Sequence, residues 1–150
     1  MNRRQMILTG AAGLAAAALT RGAGADTKKP PSATSAREAL LVATAECRRA
    51  GDVCVAHCLS ELAQGNTGMA KCSQRVDEML ALVQSTARLV AVDSTLARKQ
   101  AELCAAACKS CHEACYEHQA HFAQGKHLAC KQCGDACERC EAACRAYVAA

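Results

Sequence analysis

The chain has 150 residues, 18 basic and 14 acidic side chains, a formal charge of +4 and 13 cysteines. Arg3, Arg4 and Arg21 sit in an N-terminal segment that reads as removable, which leaves 15 basic against 14 acidic residues, or +1, and excludes the basic footprint of a nucleic-acid or anionic-membrane binder. Two tyrosines, one phenylalanine and no tryptophan make a conventional aromatic core too thin for this length, so free cysteine, a small and often buried hydrophobe, is expected to fill the interior.

Residues 1–25 read as an export leader. Arg3 and Arg4 precede an apolar stretch from Ile7 to Leu19, and small residues Ala23 and Ala25 stand before Asp26. That stretch is too short to cross a bilayer core of roughly 30 Å, so no membrane span is expected in the mature chain. Arg3-Arg4-Gln5-Met6-Ile7-Leu8 loosely fits a twin-arginine leader, which predicts periplasmic export of an already folded protein. Paired arginines also occur in ordinary secretory leaders, and that alternative stays open.

Residues 26–34, with Lys28, Lys29, Pro30, Pro31 and Ser32, are expected to form a flexible lead-in, and 35–150 the folded domain. Beyond Pro31 the chain has no proline, and Gly65, Gly68 and Gly125 mark natural helix stops. These breaks predict helices at roughly 36–64, 67–92, 94–123 and 126–148, with Thr67 and Ser94 as N-caps. Gly51 and Gly134 would sit inside helices at a cost of ~1 kcal/mol each relative to alanine, so each is expected to mark close packing. In the second helix Met69, Cys72, Val76, Met79, Val83 and Val90 form one apolar stripe. Short connections make neighbours antiparallel, and the fold class is all-α: an up-down-up-down four-helix bundle with a cysteine-lined core. Ala63-Gln64-Gly65 and Ala123-Gln124-Gly125 echo one another and place two turns at one end of the bundle.

The third helix carries Cys104, Cys108, Cys111 and Cys115, and His118 and Phe122 continue the same steps. The fourth carries Cys130, Cys133, Cys137, Cys140 and Cys144. Alternating steps of three and four hold side chains on one helix face. Cys47, Cys54 and Cys58 on the first helix and Cys72 on the second complete the set, so all thirteen can face one interior. Disulfides are the ordinary use of cysteine after export, but thirteen is odd, and disulfide scaffolds are loop-rich rather than helical. Inert buried thiols would explain one or two positions, not two unbroken stripes.

Soft thiolates select Cu(I), Zn(II) or iron–sulfur clusters. Zinc takes four ligands per ion, so thirteen thiolates would fill about three sites and leave a large negative excess in the core. Cu(I) accepts two or three sulfurs, and bridging thiolates allow roughly one ion per cysteine with a near-neutral interior. Charge and periodicity together favour many Cu(I) ions over one compact cluster. His118, which continues a stripe, is a candidate ligand. Met69 lies near the same turns as His118, His121 and His127, and thioether and imidazole suit copper transfer; Met69 as core filler, and His121 and His127 as solvated residues, are the bland alternatives.

These residues resemble the cysteine-rich four-helix copper storage proteins. The likeness is carried by Gly51-Asp52-Val53-Cys54-Val55-Ala56-His57-Cys58, by Met69 three residues before Cys72, and by Cys130-x-x-Cys133-Gly134-x-x-Cys137-x-x-Cys140-x-x-x-Cys144. It implies a store of many Cu(I) ions held in the bundle core for copper homeostasis, with His57 and Met69 supplementing the thiolates near the open end. It also implies a twin-arginine leader, self-association through outer helix faces as a homo-oligomer, and a copper-requiring enzyme or copper chaperone as recipient. The first helix lacks the extra methionines of some exported relatives.

Three other classes compete. A zinc or iron–sulfur binding module is the main alternative. Cys108-Lys109-Ser110-Cys111-His112 fits covalent attachment of a c-type haem, although Cys108 and Cys111 belong to a longer stripe that haem does not explain. A thiol redox enzyme would need a βαβ context that is missing, and a di-iron bundle would need Glu-x-x-His on two helices. No catalytic residue is assigned, and the protein is expected not to be an enzyme.

Overall fold

Ser32 opens the first helix: its Oγ accepts the Ser35 backbone N–H at 3.3 Å, satisfying one of the donors that a helix start leaves bare. The computed structural model describes residues 32–150; the segment expected to be an export leader and most of the expected lead-in lie outside the described residues. Four helices follow, α1 Ala33–Ala63, α2 Ala70–Ala91, α3 Ala97–Tyr116 and α4 Leu128–Ala149, with 3-10 turns at Thr67–Met69 and Gln119–Gln124. Each long helix packs along two neighbours in the ring α1, α2, α3, α4 and back to α1. This is the expected four-helix bundle, and none of its helices is long and apolar enough to cross a membrane.

Helix ends follow local chemistry. After α1, Gly65 takes φ +87° while Asn66 N–H bonds Glu61 O and Gly65 N–H bonds Leu62 O, a left-handed cap that glycine accepts without steric cost. Gly125, at φ +73°, repeats the device with Lys126 N–H on His121 O. Ser94, the other expected cap, lies in the turn before α3, where its Oγ accepts the Leu96 N–H at 3.2 Å; the helix itself starts at Ala97 with Leu96 as its cap and no side-chain cap bond. Thr67 does not cap either: it lies within a 3-10 turn, and α2 starts at Ala70 without a side-chain cap. The third helix is also shorter than expected: it ends at Tyr116, and Gln119–Gln124 tighten to 3-10 geometry with no side chain fully buried, Phe122 lying only partly buried against the core and edge-on to Tyr116.

Both interior glycines sit at close crossings. A Cβ on Gly51 would come within 2.8 Å of Leu80 Cδ2 and Met79 Cε, and one on Gly134 within 2.7 Å of the Tyr116 ring. The inward stripe of α2 is as the heptads predict, Met69, Cys72, Val76, Met79, Val83 and Val90 all being fully buried, with Thr86 added. Thr86 satisfies its hydroxyl on Leu82 O at 2.7 Å, so a polar residue sits in the core without an orphaned donor.

The two ends of the bundle differ. At one, Leu40, Val83, Val90, Ala97 and Ala101 make an apolar plug. There Arg37 donates from Nε to Val90 O at 3.0 Å and from Nη2 to Ala91 O at 2.8 Å, closing the C-terminus of α2. The other end carries the two 3-10 turns and the histidines.

Candidate metal centre

The inward stripes converge as their spacing requires. All thirteen cysteines are buried and none is in a disulfide. From the turn end inward, the sulfurs of Cys54, Cys58, Cys72 and Cys130 form one group, and Cys54, Cys115 and Cys133 the next. Then follow Cys111, Cys133 and Cys137; Cys47, Cys108 and Cys137; and Cys104, Cys108 and Cys140, with all sulfurs of a group within 4.8 Å of one another. Cys144 completes the row, with the neighbouring thiols of Cys104 and Cys140 pushing its pKa up. That separation is about twice a metal–sulfur bond of roughly 2.3 Å, so an ion can bind several sulfurs of a group at once. Cys54, Cys108, Cys133 and Cys137 each belong to two groups, which makes the arrangement a continuous column rather than separate pockets.

The thiols of the column share protons. Neighbouring sulfurs lie 3.7 Å apart at Cys47 and Cys137 and at Cys72 and Cys115, and 3.8 Å apart at Cys111 and Cys133. Hydrogen bonds to adjacent thiols, reinforced by burial, push Cys54, Cys108, Cys115, Cys137 and Cys144 above the usual thiol range. Bonds from Cys115 and then Cys130 hold Cys72 below it, and bonds from Cys111 and then Cys115 do the same for Cys133. Neutral S–H groups alternating with acceptors keep a dry core from carrying many uncompensated charges.

At the turn end four imidazoles meet. His57 Nε2 and His127 Nδ1 are 2.9 Å apart, and the rings of His118 and His121 have centroids 5.5 and 5.6 Å from that of His127. Burial, and then the adjacent imidazoles, lower the His127 pKa against an opposing pull from Glu61. A cleft of about 550 Å³ opens here, lined by His57, Glu61, Asn66, His121, Lys126 and His127. Met69 lies one turn before Cys72 on the same inward stripe and is fully buried. His118, expected to extend the thiol stripe, instead leaves the helix at Tyr116 and joins the histidine cluster, half-buried. His127 is its hub, which sequence spacing did not reveal. Its backbone takes φ +52°, a left-handed conformation unusual for a residue with a side chain, while its carbonyl accepts the N–H groups of Cys130 and Lys131 in the first turn of α4.

The profile of the family described as "Copper storage protein" matches residues 33–149. The chain belongs to the copper storage protein family. Among solved structures, that of "the copper storage protein, Ccsp, from Streptomyces lividans loaded with 10 copper equivalents" is similar. It shares 24% identity over 81% of this chain and 93% of that one, with a TM-score of 0.67, a likeness of fold. No curated protein matches in sequence. Copper is the ion in the family's name, and the buried thiols form several groups, each with its sulfurs close enough to hold an ion.

The haem pattern is taken up by packing. Cys108 and Cys111 point into the thiol column, while His112 bonds through Nδ1 to Gly134 O at 3.0 Å and stacks on Tyr116 at 4.4 Å between centroids. Tyr116 is held in turn by a hydrogen bond to Asp135, which Lys131 also engages.

Proposed function

We propose that the protein stores copper as a column of Cu(I) ions bridged by the thiolates of all thirteen cysteines, with His57, Met69 and His118 serving transfer at the turn end. The observation that carries this is the sharing of sulfurs between successive three-sulfur groups. Three soft donors suit Cu(I), and a shared thiolate lets one negative charge serve two monovalent ions. The relative loaded with 10 copper equivalents supports a large capacity. Its role is storage rather than turnover, with export by a twin-arginine leader to the periplasm and release to a copper-requiring enzyme or chaperone. Self-association of the bundle belongs to the same reading.

One group has zinc's ligand number: Cys54, Cys58, Cys72 and Cys130 offer four thiols. A single Zn(II) fits there, and the threefold groups beyond it do not close a tetrahedron. Anaerobic Cu(I) titration of the reduced protein, followed by mass spectrometry and by proton release in weak buffer, tests the proposal. Roughly ten or more Cu(I) per chain and far fewer Zn(II) are expected. Because Cys54, Cys108, Cys115, Cys137 and Cys144 hold their protons near pH 7, loading should release at least those five. Saturation at three or four Cu(I) would replace the column with a single cluster.

A further inference from the structure

Helix α2 contributes one cysteine to the column, yet its inward stripe runs the length of the core. Below Cys72 the wall it presents is Val76, Met79 and Val83, and one of these carries sulfur. Met79 is fully buried, and its Sδ lies 3.4 Å from Cys47 Sγ. Cys47 in turn belongs to the group with Cys108 and Cys137, which come from α3 and α4. The level of Cys47 therefore has a sulfur from every helix: α1 through Cys47, α2 through Met79, α3 through Cys108 and α4 through Cys137.

The position of the thioether follows from a second feature. Met79 Cε occupies the space where a Cβ of residue 51 would lie, 2.8 Å away, so Gly51 holds the terminal methyl against α1. With the methyl lodged there, the sulfur is left turned to the Cys47 thiol. A methionine serving only as filler needs no such notch and no particular direction for its sulfur.

We propose that Met79 is a copper ligand in the middle of the column, completing a site with Cys47, Cys108 and Cys137. This rests on the storage reading and deepens it. A thioether is soft but neutral and has no proton to lose, so it adds a donor without adding a negative charge to a dry interior. At this level Met79 adds a fourth sulfur to those of Cys47, Cys108 and Cys137, so a Cu(I) keeps three donors even where one of the shared thiolates, Cys108 or Cys137, serves a neighbouring group.

Selenium in place of the methionine sulfur gives a direct readout. The full chain carrying Met69→Leu, grown with selenomethionine and loaded anaerobically with Cu(I), would be examined by selenium-edge X-ray absorption beside the Met69→Leu, Met79→Leu double variant. Leucine and methionine are close in volume, so both are expected to fold, and far-ultraviolet circular dichroism checks this. A selenium–copper vector of bonding length in the first protein and its loss in the second is the expected result. Full copper uptake without that vector, or the vector undiminished in the double variant, overturns the role of Met79 and leaves the column standing. Failure of both folded proteins to take up copper overturns the column and Met79 together.

Discussion

Helices α2 and α4 are both 22 residues long, both pack into the same core, and both do so through inward steps of three and four. Yet α4 fills its inward positions with Cys130, Cys133, Cys137, Cys140 and Cys144, whereas α2 offers Cys72 among three valines, Met79 and Thr86. The bundle treats the two stripes alike, because a protonated thiol packs as a small hydrophobe much as valine does. Chemistry separates them. Fold needs apolar volume at those positions; copper needs sulfur there, so shape and cargo can be altered independently.

Breaking the α4 side of the comparison should have the largest effect. Serine at Cys108, Cys111, Cys133, Cys137 and Cys140 together removes members of four of the five groups described, and copper capacity should fall by roughly half, measured by anaerobic titration. The reduced, metal-free parent should meanwhile be as helical as the loaded protein by circular dichroism, since no ion is required to bury its stripes. A coil spectrum in the metal-free state would show that the stripes are not equivalent after all.

The mouth sharpens the comparison at a smaller scale. Met69→Leu with His57→Phe should slow removal of copper by a chelator several-fold while leaving capacity near the parental value, because the ions lie deeper, among thiols. Exchange at the parental rate would move the route elsewhere. Smallest for copper is a change on the α2 side: Val83→Ala should cost about 2 kcal/mol in stability by denaturant unfolding, through lost burial and an unfilled cavity, with unchanged copper uptake.

What was legible in the sequence was what local periodicity controls. Stripes of cysteine at steps of three and four have one geometric meaning on a helix, and Gly51 and Gly134 announced their crossings because a glycine inside a good helix needs a reason. The end of α3 was not legible. His118 and Phe122 continue the inward pattern, but a pattern extends a helix only where burial holds it, and residues 119–124 fully bury no side chain, Phe122 resting only partly buried beside Tyr116. Thr86 is not legible as a core residue because a hydroxyl breaks an apolar stripe, although its own helix supplies the acceptor. His127 and Met79 share a different obstacle: each acquires its surroundings from another helix, His57 in one case and Cys47 in the other, and no spacing along one segment encodes that.

The apolar plug of Leu40, Val83, Val90, Ala97 and Ala101 has a consequence for how such a store is used. If copper passes only the histidine end, as proposed, a column closed by hydrocarbon at its base would fill and drain through one doorway. Withdrawal would then reverse the order of deposit, with the thiols around Cys104, Cys140 and Cys144 holding the last reserve.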